Sequence, residues 1–359
     1  MKIGILTSGG DCPGLNAVIR GFGKYVFNQI EGVELYGIAD GYGGLIRGEW
    51  RKMTPQDFVG ILNLGGTILG TSRQPFKLMT LEESNSPSKL DLMKQNYKKL
   101  GLDCLVTLGG AGTHKTAALL SAEGCHVIGV PKTIDNDIYG TDVTFGFHTA
   151  VDTATECIDR VHTTAASHGR TMLVEIMGNK VGWLTLYAGI AGGADMILIP
   201  EIPFDPEAVV ATIAKKASSG KAFNIIAIAE GAMSREEAAM KKKARQLARR
   251  ERGETTATQS LARLIAERVG VEARVTVPGY MQRGGNPSAY DRVLSTEMGS
   301  FAGKLAKEGR YGVTVAVQKN EITYNSLADI AGRQKSVPVD HPLIKTALSL
   351  GVSFGVEKI

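Results

Sequence analysis

Residues 102–116 read Leu-Asp-Cys-Leu-Val-Thr-Leu-Gly-Gly-Ala-Gly-Thr-His-Lys-Thr. The apolar run 102–108 has strand length, passes straight into glycine, and gives way to a helical pattern from 113. A strand that empties into glycine and then a helix is the first half of a βαβ unit. The same grammar recurs in both directions along the chain. Short apolar runs at 2–7, 33–39, 102–108, 126–130, 171–177, 195–199, 223–229, 272–277 and 312–317 are the expected strands. Helical patterns lie near 14–29, 54–63, 88–100, 113–123, 148–164, 181–191, 205–219, 234–250, 256–269 and 288–308. Near-continuous apolar strands separated by helices predict parallel sheet covered on both faces. Nine runs exceed one ordinary sheet, so the expected fold is α/β with two Rossmann-like three-layer lobes and largely parallel sheets. Ligands of such sheets bind outside the carboxyl ends of the strands, which directs attention to the loops that follow them.

Composition narrows the class. Of 359 residues, 43% are hydrophobic and 21% charged, which excludes a disordered chain, a collagen and a coiled coil. The net charge of +5 is small for this length; it favours small anionic ligands and does not call for nucleic acid. The four cysteines, Cys12, Cys104, Cys125 and Cys157, lack paired spacing, so neither a disulfide framework nor a structural zinc site is expected. The amino terminus lacks the apolar core of a signal peptide and no run is long enough to span a membrane, so a cytoplasmic protein is expected. Glycine is the outlier, with 44 residues where ~7% is usual.

The glycines gather after strands. Thr7-Ser8-Gly9-Gly10-Asp11-Cys12-Pro13-Gly14 follows the first run, and Gly109-Gly110-Ala111-Gly112-Thr113 follows the run at 102–108. Such a loop at a helix start suits a phosphate, because backbone N–H groups and the helix dipole face it; a tight structural turn is the other reading. A third glycine loop, 65–72, ends in Arg73, whose planar fork suits phosphate oxygens. After 126–130 comes Pro131-Lys132-Thr133-Ile134-Asp135-Asn136-Asp137. One carboxylate there can act as general base toward a hydroxyl while the other holds a metal or tunes its neighbour. The alternative is an Asp-Asn-Asp turn. Arg170 just before the run 171–177, Arg274 within 272–277, and Met177, Gly178, Asn179, Glu230, Tyr280, Gln282 and Arg283 at or after strand ends each read singly as a surface charge or a turn; together they supply the cations and the carboxylate that a sugar phosphate needs. The basic stretch 235–253 reads as a solvated surface helix, or as a patch for RNA or an acidic partner.

The segments TSGGDCPGLN (7–16), GGTILGTSR (65–73), LGGAGT (108–113), PKTIDND (131–137), AASHGR (165–170), VEIMG (174–178), IAGGAD (190–195), AEG (229–231) and PGYMQRGGNPSAYDR (278–292) resemble the 6-phosphofructokinase family. The resemblance implies Mg²⁺-assisted phosphoryl transfer to the 1-hydroxyl of fructose 6-phosphate, a step of glycolysis, in the cleft between two lobes. It implies a donor lobe at 1–146 and about 282–331, and a sugar-phosphate and effector lobe at 147–281 with a basic insertion near 235–256. A C-terminal extension would follow at 332–359. Asp135 matches the general base, Asp137 the second carboxylate near Mg²⁺, and Thr133 the contact to the transferred group. Arg73 and Lys132 match catalytic cations. Gly10, Arg73, Gly110, Ala111, Gly112 and Thr113 match the donor site. Thr133, Asp135, Met177, Gly178, Asn179, Glu230, Tyr280, Gln282 and the arginines Arg170, Arg274 and Arg283 match the sugar-phosphate site. In the family Arg170 and Arg274 reach across from a neighbouring subunit, which implies a homodimer or homotetramer with shared sites and neither nucleic acid nor membrane as partner.

The chain departs from the family pattern at the donor loop. Ala111 stands where ATP-using members carry a Mg²⁺-linked Asp, which leaves Asp137 as the expected metal contact, with water or Asp11 as the other ways to make up the loss. Gly112 leaves room for the α-phosphate of ATP, whereas Lys132 resembles the pyrophosphate-using type. The expectation is ATP as donor, with a pyrophosphate-dependent enzyme or a weakly catalytic regulatory subunit as alternatives. Arg20 and Asp195 match effector-site positions, and His162 replaces an effector-binding arginine.

Overall fold

The apolar runs of the sequence are strands in the computed structural model, which describes residues 1–81, 87–218 and 223–359. The strands are β1 (Lys2–Ser8), β2 (Glu34–Ile38), β3 (Trp50–Met53), β4 (Cys104–Gly109), β5 (Val127–Pro131), β6 (Thr171–Ile176), β7 (Met196–Leu198), β8 (Asn224–Ala229), β9 (Ala273–Thr276), β10 (Val313–Gln318) and β11 (Glu321–Ser326). Every residue of β4, β5, β6 and β8 is buried, as expected of strands covered on both faces. The chain divides into two units, Met1–Thr149 with Arg283–Lys335, and Ala150–Gln282 with Ser336–Ile359.

The first unit holds a seven-stranded sheet in the order β11-β10-β5-β4-β1-β2-β3. The inner strands run parallel, and β3 and β11 close the edges antiparallel. One face is covered by helices Lys89–Leu100 and Ala111–Ala122, whose Leu90, Met93, Tyr97 and Leu120 pack on Leu6, Leu105 and Val127. Helices Leu15–Gln29 and Ala289–Lys307 pack against each other at glycines. A Cβ at Gly21 would lie 2.6 Å from the Thr296 carbonyl oxygen, and one at Gly299 2.3 Å from that of Val18, so only glycine permits this approach.

The second unit holds a parallel four-stranded sheet, β7-β8-β6-β9. Its core joins Leu173, Ile226 and Ile228 to Val209 and Ile213 of helix Pro206–Ser218 and to Leu261 and Ile265 of helix Ala257–Val269. The helix anticipated at 205–219 covers this helix, and its residue 219 lies outside the described residues.

Several elements differ from expectation. The helix expected at 54–63 is a single 3₁₀ turn, Pro55–Phe58. Thr54 and Asp57 satisfy each other's capping needs within that one turn, and Gly60 at φ 74° ends it. The helix expected at 234–250 is two helices, Arg235–Ala238 and Lys242–Glu251. The break folds the chain back so that Arg249 reaches the buried Glu237 at 2.7 Å, an ion pair that twelve residues of straight helix would hold ~18 Å apart. The stretch is therefore not simply a solvated helix. The tail 336–359, anticipated within a separate extension, groups with the second unit, where the Ser353 carbonyl accepts from Ile197 N and Val337, Ile344 and Phe354 are buried. Among the described residues, no helix is long and apolar enough to cross a membrane.

Candidate active site

The first unit brings its functional loops to one level. Ser8 of β1 pairs in register with Gly109 of β4, and Gly109 with Pro131 of β5. The loops starting at Gly9, Gly110 and Lys132 therefore leave the sheet side by side at its carboxyl edge. β1 is followed by β2 on one side while β4 lies on the other, so this is the point where the strand order reverses. The third glycine loop docks on the first: Gly9 N donates to Ser72 O at 3.0 Å, and Thr71 Oγ1 to Gly9 O at 2.8 Å. Thr113 Oγ1 donates to Ser8 O at 3.2 Å. A Cβ on Gly109 would lie 2.1 Å from that Thr113 hydroxyl, so glycine is what lets the second loop close against the first.

Cations line this junction. A Cβ built on Gly10 would lie 3.0 Å from Arg283 Nη1 and 3.5 Å from Arg73 Nη2; one on Gly9 would lie 3.8 Å from Lys132 Nζ. Arg283 also donates to the Asp11 carbonyl at 3.2 Å. Arg283 thus stands with Gly10 and Arg73 in the first unit, whereas Arg170 and Arg274, the other expected sugar-phosphate arginines, lie in the second. Gly110 caps helix Ala111–Ala122, and nothing lies within 4 Å of a Cβ built on the exposed Gly112.

The carboxylates follow β5. Lys132, Thr133, Asp135 and Asp137 are all buried, between 4% and 8% exposed, too enclosed for a surface turn of charged residues. Asp135 N donates to Thr133 Oγ1 at 3.0 Å. Burial pushes the Asp137 carboxyl above the ordinary aspartate value, while hydrogen bonds from its own N–H, Thr133 and Gln334 and the charge of Lys132 oppose the rise. Burial pushes Lys132 below the ordinary lysine value; Arg283 adds to this, and Cys12, Asp135 and Asp137 oppose it.

These residues are also the test for Mg²⁺. The donors Asp135, Asp137 and Thr133 are hard oxygens. Among the described residues no three or more His, Cys, Asp or Glu side chains converge. Mg²⁺ habitually takes one or two carboxylates and completes its shell with water and substrate phosphate, so this donor set fits it.

In the second unit, Met177, Glu230 and Tyr280 line one pocket of about 170 Å³ with Glu175, Val277 and Gly279. The pocket exists because β6 and β8 end together, Ile176 opposite Ala229. Glu230 Oε1 accepts from Asn179 N at 2.7 Å and Gly178 N at 3.3 Å, which fixes the Met177–Asn179 turn. Gln282 is fully buried: its amide accepts from Met177 N and donates to Gly279 O, so it braces the pocket from behind. Glu272, just ahead of the edge strand β9, pairs with Arg170, just ahead of β6, and with Arg274 on β9, and so brings the two arginines together. Asp195, by contrast, is an internal anchor that accepts from Lys216 Nζ and Ile225 N.

Sequence reasoning missed Glu175, Glu272 and His114. Buried His114 donates from Nδ1 to Gly110 O at 3.0 Å and accepts at Nε2 from Thr314 Oγ1 at 2.8 Å, tying the donor-type loop to β10. Burial pushes its pKa down to about 4, with Lys132 adding and the Gly110 bond opposing. Its only sequence signal was its place directly after the glycine loop.

The family model for phosphofructokinase matches residues 2–306. The "ATP-dependent 6-phosphofructokinase" of Spirochaeta thermophila is 54% identical over 355 residues, 98% of this chain and 97% of that protein. The "ATP-dependent 6-phosphofructokinase 3" of Bacteroides thetaiotaomicron is 44% identical over 99% of this chain and its own full length. The T-state phosphofructokinase of Pichia pastoris superposes with a TM-score of 0.79 at 30% identity, covering 92% of this chain and 35% of that one. The chain belongs to the phosphofructokinase family.

Proposed function

We infer that this chain is an ATP-dependent 6-phosphofructokinase, which transfers the γ-phosphoryl group of ATP to the 1-hydroxyl of fructose 6-phosphate to give fructose 1,6-bisphosphate in the cytoplasm. The observation that carries the reading is the common level of the Gly9, Gly110 and Lys132 loops on β1, β4 and β5, with two buried carboxylates beside them. Full-length relatives bearing this name support the donor, as does the open space at Gly112.

Phosphoryl transfer through a loose transition state needs positioning and charge neutralisation more than covalent catalysis. The N–H groups at Gly110–Thr113 and the Arg73 guanidinium hold the donor phosphates. Asp135 takes the proton of the sugar hydroxyl as its oxygen attacks. Lys132 and Thr133 contact the transferred group. Asp137, with Thr133, is the place for Mg²⁺, which when bound neutralises charge on the donor phosphates. Glu230 and the Met177–Asn179 turn receive the sugar, and Tyr280 walls its pocket. Arg170 and Arg274 bind the 6-phosphate of a site on a neighbouring copy. The exposed edge beside them, with Val277 at 57%, Tyr280 at 79% and Met281 at 65%, supplies the apolar surface for a homo-oligomer.

Pyrophosphate as donor is the second reading, carried by buried Lys132 at the carboxylates. The test is to incubate the purified protein with Mg²⁺, fructose 6-phosphate and ATP and follow products by ³¹P NMR. Fructose 1,6-bisphosphate and ADP in equal amounts are expected; ADP without a bisphosphate refutes the acceptor.

A further inference from the structure

The turn that carries the two carboxylates is held by a residue far away in sequence. Asn136, between Asp135 and Asp137, has φ 52°, the left-handed backbone that asparagine adopts more readily than other residues with a side chain. Asn136 Oδ1 accepts from Thr144 N at 3.1 Å and from Lys335 Nζ at 2.9 Å. The same ammonium donates to the carbonyl oxygens of Thr141 and Asp142, each at 2.9 Å. These three bonds go to neutral oxygens, and the carboxylates of Asp142 and Asp137 also favour the charge of the ammonium. The main chain joins in: Lys335 N donates to Asp137 O at 2.9 Å, and Ile138 pairs with Gln334. Lys335 lies past residue 306, where the family match ends, and is the last residue of the first unit.

A ring of neutral carbonyl oxygens is the chemistry that receives a desolvated monovalent cation. We propose that the Lys335 ammonium is a built-in monovalent cation, a positioning residue that fills an all-oxygen cradle behind Asn136 and so sets the geometry of Asp135 and Asp137. The proposal rests on the assignment of those carboxylates to phosphoryl transfer. It makes a claim that a merely structural lysine would not satisfy: with the side chain removed, a free ammonium ion can take its place.

The experiment uses full-length Lys335→Ala and Lys335→Met, assayed with ATP and fructose 6-phosphate in sodium, ammonium or tetramethylammonium chloride at equal ionic strength, with melting temperatures recorded alongside. Both variants should lose at least ~10-fold in kcat in sodium with both KM values within ~2-fold of wild type, as expected of misplaced catalytic groups. Ammonium should restore kcat of the alanine variant saturably and raise its melting temperature. Tetramethylammonium should do neither, and the methionine variant, whose side chain fills the space, should not respond. Wild-type kcat in the methionine variant overturns the proposal. So does an alanine variant whose kcat and melting temperature ignore ammonium. An inactive wild type would instead refute the functional reading, and the ammonium-specific rise in melting temperature would still decide whether the cradle is a cation site.

Discussion

Asp135 stands at the centre of the proposed chemistry. Its type and spacing were readable in PKTIDND, because two carboxylates beside a lysine at a strand end have few uses. Its burial to 8% was not, since burial depends on what packs over the loop. Asp135→Asn keeps the shape and removes the proposed base, so kcat should fall at least ~10²-fold with little change in sugar KM. Steady-state kinetics check this, and a variant keeping half of wild-type kcat removes Asp135 from the role. His114 carries a second residue-scale prediction. Its folded pKa of about 4 lies below the ordinary 6.5, so the unfolded chain takes up the proton first. Stability from this group is full above pH ~6.5 and is lost as pH falls toward 4, by up to about 3 kcal/mol. Urea titrations at pH 7 and 4.5 should show a smaller acid loss in His114→Gln than in wild type. Equal losses would mean that His114 is not held neutral.

At the scale of elements, parallel strands were legible and edge strands were not. β4 and β8 are apolar throughout because both faces are covered, whereas β3 (WRKM) and β11 (EITYNS) carry polar residues on open faces and give no apolar run. The break at 239–241 was hidden for a related reason: it accompanies an ion pair between the buried Glu237 and Arg249, twelve residues apart, which no helical periodicity encodes. Removing its partner leaves this buried carboxylate only the longer ion pair to Arg252 at 3.7 Å, so Arg249→Ala should destabilise by roughly 3 kcal/mol. Lys243→Ala, on the exposed face of the same segment, should change stability by less than ~0.5 kcal/mol. Thermal denaturation of both variants decides; equal effects would make the segment a plain surface helix. Edge strand β9 displays Arg274 and, through Glu272, holds Arg170 beside it. Arg274→Ala should raise the KM for fructose 6-phosphate by ~10–100-fold, the size of one lost charge-assisted contact, and leave that for ATP nearly unchanged. An equal rise in both KM values would detach Arg274 from the sugar phosphate.

For the molecule as a whole, strand–helix alternation foretold two largely parallel sheets. It did not tell that the tail returns to the second unit or that Lys335 returns to the carboxylate turn, because long-range pairing leaves no local pattern. If neighbouring copies share sites, mixing the Asp135→Asn and Arg274→Ala proteins should recover activity at fructose 6-phosphate concentrations near the wild-type KM, where each variant alone is nearly inactive, since one hybrid site is then intact. No recovery, with subunit exchange verified, would assign each site to one chain. The donor remains the claim on which the whole reading turns. Gly112 opens on free space, and a carboxylate there would obstruct and repel the α-phosphate of ATP while sparing pyrophosphate, which has no such group. The decisive measurement is kcat/KM for ATP and for pyrophosphate, at saturating fructose 6-phosphate and fixed Mg²⁺, in wild type and Gly112→Asp. The account predicts a wild type that prefers ATP by more than ~100-fold and a variant that loses ATP while keeping or gaining pyrophosphate. A wild type that ignores ATP and turns over pyrophosphate would contradict it.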